Sequence, residues 1–198
     1  MKSEVRFEVL PGLPPYGPTA TPVPAGWGGG GREGVVVRVE ADGRPWTANV
    51  QPGLGGVTAA IRHPNGVDVL VFAGGDCWTV DGAFATSRLA TAVEGVLCVP
   101  GTPDLILNCQ GLSLCRIDGT GRVWRTRRLS WDGLNDLRVE ADRVVGRAWD
   151  ALNDCWQPFA VDLRTGRTQE DHLGVGDPGW EQLADSQDPG DGGRGAAN

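Results

Sequence analysis

Short apolar runs closed by a glycine turn recur along this chain: VVVRVEADG ends at Gly43, CWTVDG at Gly82, LCRIDG at Gly119 and FAVDLRTG at Gly166. The marks stand 39, 37 and 47 residues apart. Asp-Gly favours tight hairpins because such turns need positive φ, which glycine takes at little steric cost. Each mark therefore predicts an inner strand joined to the strand after it. Further apolar runs fill the intervals: GVTAAI with GVDVLVFAG, GVLCV with DLILNC, and DLRVE with RVVGRAW. Three periods thus predict four strands each, and in the first of them Asn65-Gly66 lies inside the first hairpin. The N-terminal period is degraded. VRFEVL, from Val5 to Leu10, supplies a first strand, but a Pro/Gly-rich arm at 11–34 separates it from the next apolar run.

Four antiparallel strands about every forty residues is the pattern of a β-propeller blade, a sheet that must stack on a neighbour to cover its faces. The expected fold is all-β: antiparallel four-stranded meanders repeated about four times in a small propeller-like arrangement. A two-sheet β-sandwich is the alternative. The repeats would close as one ring or pair with a second copy, so monomer and homodimer both stand. Trp46 and Trp124 follow their turns on the outgoing strand and should pack between consecutive sheets. Residues 1–170 form one domain in this scheme. Residues 171–198 hold few large apolar side chains to offset the entropy of ordering, and are expected to be a disordered tail in which Trp180 alone would dock.

Composition agrees with the pattern: 31 glycines, 14 prolines and no clustering of helix formers. A net charge of −7 argues against general affinity for nucleic acid or an anionic membrane, which needs excess positive charge. Lys2 is the sole lysine among 18 cations. MKSEVRFEVLPGLPP lacks the apolar segment of a signal peptide and no later run would span a membrane, so a cytoplasmic location is expected. Five cysteines without CxxC spacing suggest neither a disulfide framework nor a zinc knuckle, and most should be small buried apolar residues.

The most specific local signal is an echo, WDGLND at Trp131–Asp136 and WDALND at Trp149–Asp154. With Ala141-Asp142 as a two-residue turn, cross-strand partners sum to 283. Asp136 then faces Arg147, Gly133 faces Asp150 and Asp132 faces Ala151, and both echoes share one end of a sheet. Asp132, Asp136, Asp150 and Asp154 would crowd that rim with Asn135 and Asn153. Such a rim would hold calcium through hard oxygen ligands, or set two carboxylates about a scissile bond. Against this, each Asp or Asn would close its own turn, and Asp136 would pair with Arg147. No other cofactor is indicated.

Arg116, Arg122, Arg125, Arg127 and Arg128 concentrate positive charge on one hairpin. Strand alternation puts Arg125 and Arg127 on one face with Val123 and Leu129, and Arg122 and Arg128 on the other with Trp124. A partly exposed outer strand with arginines stacked on tryptophan accounts for this pattern; the alternative is a binding site, with an acidic protein or a phosphate as the partner such arginines would meet. GWGGGGREG lacks the Lys-Ser/Thr of a phosphate loop and precedes a strand. Tyr16, in LPPYGP, is expected to pack on its own domain. The histidines, His63 in an HPNG turn and His172, stand beside no visible nucleophile, and His63 should be an exposed turn residue.

LPGLPPYGP, EGVVV, VFAGG, WRTRRLSWDGLNDLRVEADRVVGRAWD and WQPFAVDLRTG together resemble a group of uncharacterised bacterial proteins of about this length, over residues 5–167. That resemblance implies a self-contained domain and no particular activity. More loosely the repeats are similar to blades of WD40 and quinoprotein propellers, without the GH…WD dipeptides of the first or the quinone ligands of the second. The function expected is a non-catalytic module that presents its repeat surface to another protein, an immunity or antitoxin role being one version. Its candidate binding residues are Arg125, Arg127, Arg128, Trp131, Asp132, Trp149 and Asp150. The alternative is a sugar-binding or hydrolytic protein using the aspartate rim, with calcium as its ion.

Overall fold

The computed structural model describes residues 5–27 and 33–168. It is all-β, with fifteen strands in four sheets and no helix among the described residues. The proposed tail, with Trp180 and His172, lies outside the described residues. The first sheet runs β1 (Arg6–Leu10), β3 (Val35–Ala41), β4 (Arg44–Val50), β2 (Thr21–Val23) across its width. The second is a plain meander of β5 (Ala59–Arg62), β6 (Val69–Ala73), β7 (Asp76–Val80) and β8 (Thr86–Ala90). The third repeats it with β9 (Val93–Cys98), β10 (Leu105–Cys109), β11 (Ser113–Asp118) and β12 (Gly121–Arg125). The fourth has β13 (Leu134–Glu140), β14 (Arg143–Asp150) and β15 (Cys155–Asp162), plus one bridge from Val161 to Thr168 where a fourth strand would begin.

All four Asp-Gly or Thr-Gly marks sit at strand-to-strand connections. Asp42 and Gly43, at φ 52° and 72°, form the two-residue turn between β3 and β4. The turn at Gly119 is displaced by one residue: Asp118 pairs with Gly121, and the Asp118 carboxylate accepts from the Thr120 backbone and hydroxyl. Asp81-Gly82 opens a longer loop, in which the Asp81 carboxylate accepts the amides of Ala83 and Ala85. Side-chain capping of this sort lets an Asp start a turn of several lengths. The first sheet departs from the meander, because the arm returns β2 as a parallel edge beside β4.

Three apolar clusters join the sheets in sequence order. Val37, Val39 and Val50 of the first sheet meet Val69, Val71 and Trp78 of the second. Leu70, Phe72 and Cys77 on the other side of the second sheet meet Leu105, Leu107 and Ile117 of the third. Ile106 and Leu114 of the third meet Val144 and Val161 of the fourth. Period-two alternation explains how β6 and β10 serve two neighbours at once, odd and even positions pointing to opposite sheets. Trp46 packs against the first cluster, stacked on Phe84 at 5.4 Å, and Trp124 against the third, its Nε1 donating to the Leu163 carbonyl at 2.9 Å. Both tryptophans therefore lie between sheets, as the sequence indicated.

The connections between sheets pass the turns joining second and third strands. Gly53 and Gly55 donate to the Ala73 and Gly74 carbonyls, Gln110 to Ala92, and Leu129 to Leu112. A Cβ on Gly75 would fall 2.5 Å from the Gly55 Cα, so only glycine allows this approach. The Asp-Gly turns occupy the opposite end. There His63 is buried, not exposed: it is 5% accessible, its Nδ1 accepts the Asn65 amide, and the Asn65 loop packs against Gly119. Tyr16 shows the reverse error, 90% accessible where packing was expected.

Candidate binding surface

The linker from the third sheet to the fourth, residues 126–133, is pinned along its length. Thr126 exchanges bonds with Leu114: its amide donates to the Leu114 carbonyl at 2.8 Å, and its hydroxyl accepts the Leu114 amide at 3.0 Å. Leu129 is buried and donates to Leu112. Ser130 is wholly buried, its hydroxyl donating to the Trp149 carbonyl at 3.1 Å and accepting the amides of Trp149 at 2.9 Å and Asp132 at 3.3 Å. Trp131 is thereby presented at the surface, 40% accessible. The Arg128 guanidinium lies 5.1 Å over its ring and is held by the carbonyls of Ser130 and Trp131 at 2.8 and 2.7 Å. Beside them Trp149 meets Trp156 edge to face, with centroids 5.3 Å apart.

Of the seven residues singled out for binding, five gather here: Arg128, Trp131, Asp132, Trp149 and Asp150. Arg125 and Arg127 point elsewhere, to the Ser113 hydroxyl at 3.3 Å and the Thr168 hydroxyl at 3.2 Å. The alternation expected from Arg122 to Leu129 fails because β12 ends at Arg125 and carries a register shift opposite Arg116 and Ile117. Leu129 and Trp124, assigned to opposite faces, both pack in the third cluster. Arg116 is a partly buried charge already engaged within the fold. Its guanidinium joins the buried Asp104 through Nε at 3.0 Å and the Leu163 carbonyl at 2.7 Å, tying the third sheet to the fourth.

The two echoes do share one end of the fourth sheet, since Trp131 donates to the Trp149 carbonyl and Trp149 to that of Gly133. The register differs from expectation. Glu140 pairs with Arg143 about the Ala141-Asp142 turn, but a bulge between Asn135 and Arg138 shifts the ladder, so Asn135 and not Asp136 faces Arg147. Trp149, and not Asp150, lies beside Gly133. Asp136 sits in the bulge at φ 52°, exposed, and Asp154 is exposed at φ 50° in the following turn. The Asp150 carboxylate caps its own turn, accepting the Asn153 side-chain amide at 2.6 Å and the backbone amides of Leu152 and Asn153. Those bonds, the Asn153 side chain foremost, hold its carboxyl below the usual carboxylate range. Among the described residues no three His, Cys, Asp or Glu side chains gather as a metal set.

The cysteines divide by position. Cys77, Cys109 and Cys115 are buried between the second and third sheets, while Cys98 is exposed and Cys155 half-buried. Cys109 and Cys115 place their sulfurs 3.6 Å apart, and burial, with Cys109 and the Asp76 carboxylate nearby, pushes the Cys77 thiol upward, away from thiolate.

Two residues of the surface escaped the sequence reading. Ser130 stands directly before the first echo, yet a lone serine carries no signal. Trp156 becomes Trp149's cross-strand partner only when the four-residue turn 151–154 is known.

The chain is thus an all-β protein of stacked meander sheets with an aromatic and cationic surface on one linker. No protein-family model matches the sequence, and no curated protein does either.

Proposed function

We propose that this chain is a non-catalytic protein-binding module, its sheets arranged as in a small propeller, with the linker surface about Trp131 as its contact. The observation that carries this reading is the fixing of Trp131: a large exposed ring braced by a guanidinium that is itself hydrogen-bonded twice. Tryptophan and arginine dominate the energetics of protein interfaces, and a side chain already immobilised loses less entropy on binding. The five free thiols suit a reducing cytoplasm, and no described helix is long and apolar enough to cross a membrane. An immunity or antitoxin role is a narrower form of the same proposal.

The exposure of Asp132, which follows the exposed Trp131 in the chain, favours a second reading, a sugar stacked on the ring with calcium or Asp132 holding its hydroxyls. Affinity capture from native lysate separates the two. For a protein module, Trp131→Ala loses the captured partner by about thirtyfold or more, the usual effect of a hot-spot residue, while Asp132→Asn retains it. Retention of every captured protein by Trp131→Ala rejects the first reading. Loss of glycan or calcium binding in Asp132→Asn establishes the second.

A further inference from the structure

Among the described residues, the second and third sheets meet a neighbouring sheet on both faces, and the first and fourth on one face only. The fourth sheet's outward side is formed by Arg138, Val145, Arg147, Pro158 and Ala160, the positions alternate to those that meet the third sheet. It forms a shallow, open hollow of about 830 Å3, lined also by Asp136 and Glu140. Arg147 lies within this hollow, exposed, with no carboxylate partner among the described residues and a single bond to the Trp156 carbonyl at 3.4 Å. The first sheet's outward side carries the rows Arg6, Glu40, Pro45 and Glu8, Arg38, Thr47. Glu8 and Arg38 pair there at 3.0 Å, whereas Glu40 has no ion-pair partner among the described residues. The arm reaches this side at Asn49, whose side chain accepts the Gly34 amide, and Gly34 lies against Trp27.

We propose that a second copy of this chain completes the stack, the fourth sheet of each seating on the first sheet of the other with Arg147 against Glu40. The same sheet-on-sheet relation already occurs three times within the chain. A ring closed by one chain would need a fourth apolar cluster between the fourth and first sheets, and the described residues form none. Each copy supplies one of each end face, so a head-to-tail contact made twice about a twofold axis closes without leaving an open end. Three strands of seven or eight residues present roughly 330 Å2 of flat face, given strand spacings near 4.8 Å and a rise near 3.3 Å. Four such faces come to about 1,300 Å2, which clears the size of a specific interface. Arg147 then meets Glu40, an opposite charge across the contact that favours this pairing and its polarity.

The test is the mass in solution of the full chain and three variants, measured by light scattering at about 50 µM, above the micromolar end expected for such an area. The unaltered chain should weigh twice 20.9 kDa. Arg147→Glu and Glu40→Arg should each halve that mass, and the double reversal should restore it. Both positions lie on outward faces, and restoration by the double variant separates a broken contact from a misfolded chain. A single-chain mass for the unaltered protein, a pair indifferent to both reversals, or open polymers would each overturn the proposal.

Discussion

The second strands of the second and fourth sheets do the same structural task in different surroundings. β6, VLVFA, is buried at all five positions and touches the first sheet with one face and the third with the other. β14, RVVGRAWD, buries Val144 and Ala148 on one face and turns Arg143, Val145 and Arg147 outward. A continuous apolar run therefore marks a strand covered twice, and alternation marks a strand covered once. β10, LILNC, falls with β6. The hydrophobic pattern records not only that a strand exists but how many sheets lean on it.

This contrast is broken most sharply by truncation in the doubly covered layer. Phe72→Ala should cost about 3–5 kcal/mol in urea unfolding, whereas Val145→Ala on the outward face of the fourth sheet should cost under about 1.5 kcal/mol. Equal costs would mean that the two sheets are covered alike. Ser130→Ala removes a buried hydroxyl that serves three backbone groups, and should lower stability by about 1–3 kcal/mol while reducing the rigidity of Trp131, read as a change in its fluorescence anisotropy.

A smaller effect comes from His63. Burial lowers its pKa from 6.5, against the opposing pull of Asp68 and Asp118, so the folded state favours the neutral ring. The unfolded chain takes up its proton first as pH falls. The stability that His63 confers is whole above pH 6.5 and declines below it, until the pH passes the folded pKa and the loss is complete. Comparing melting temperatures of the parent and His63→Gln between about pH 7.5 and 5, either side of the ordinary imidazole pKa, should show the steeper decline in the parent. Least of all, Glu140→Gln, which breaks the exposed pair with Arg138, should change stability by about 0–1 kcal/mol and less at high salt.

Much of this layering was legible in the chain. The Asp-Gly marks located the connections, and the tryptophans after them reached the interfaces, because turn chemistry and strand alternation act over a few residues. What escaped depended on longer range. The bulge at Asp136 put Asn135 in its place opposite Arg147, and a one-residue slip changes which side chains face each other. His63 sits in a polar turn motif, yet the Gly119 turn of the next sheet covers it. The parallel insertion of β2 depends on the path of the arm, which no local periodicity encodes. At the candidate surface, Trp131, Trp149 and Arg128 were legible as residue types, while Ser130, which binds their strands together, was not.

Amide hydrogen exchange tests the central claim most directly when it compares strands with the same in-sheet hydrogen bonding. β6, β10 and β14 each pair with a strand on both sides. In the Arg147→Glu chain, taken where it has the mass of a single chain, amides of 69–73 and 105–109 should exchange only through global unfolding, and those of 144–148 through a smaller opening of lower free energy. If β14 is protected as strongly as β6 and β10, or if β6 opens first, the ordered stack with two covered layers at its centre is wrong.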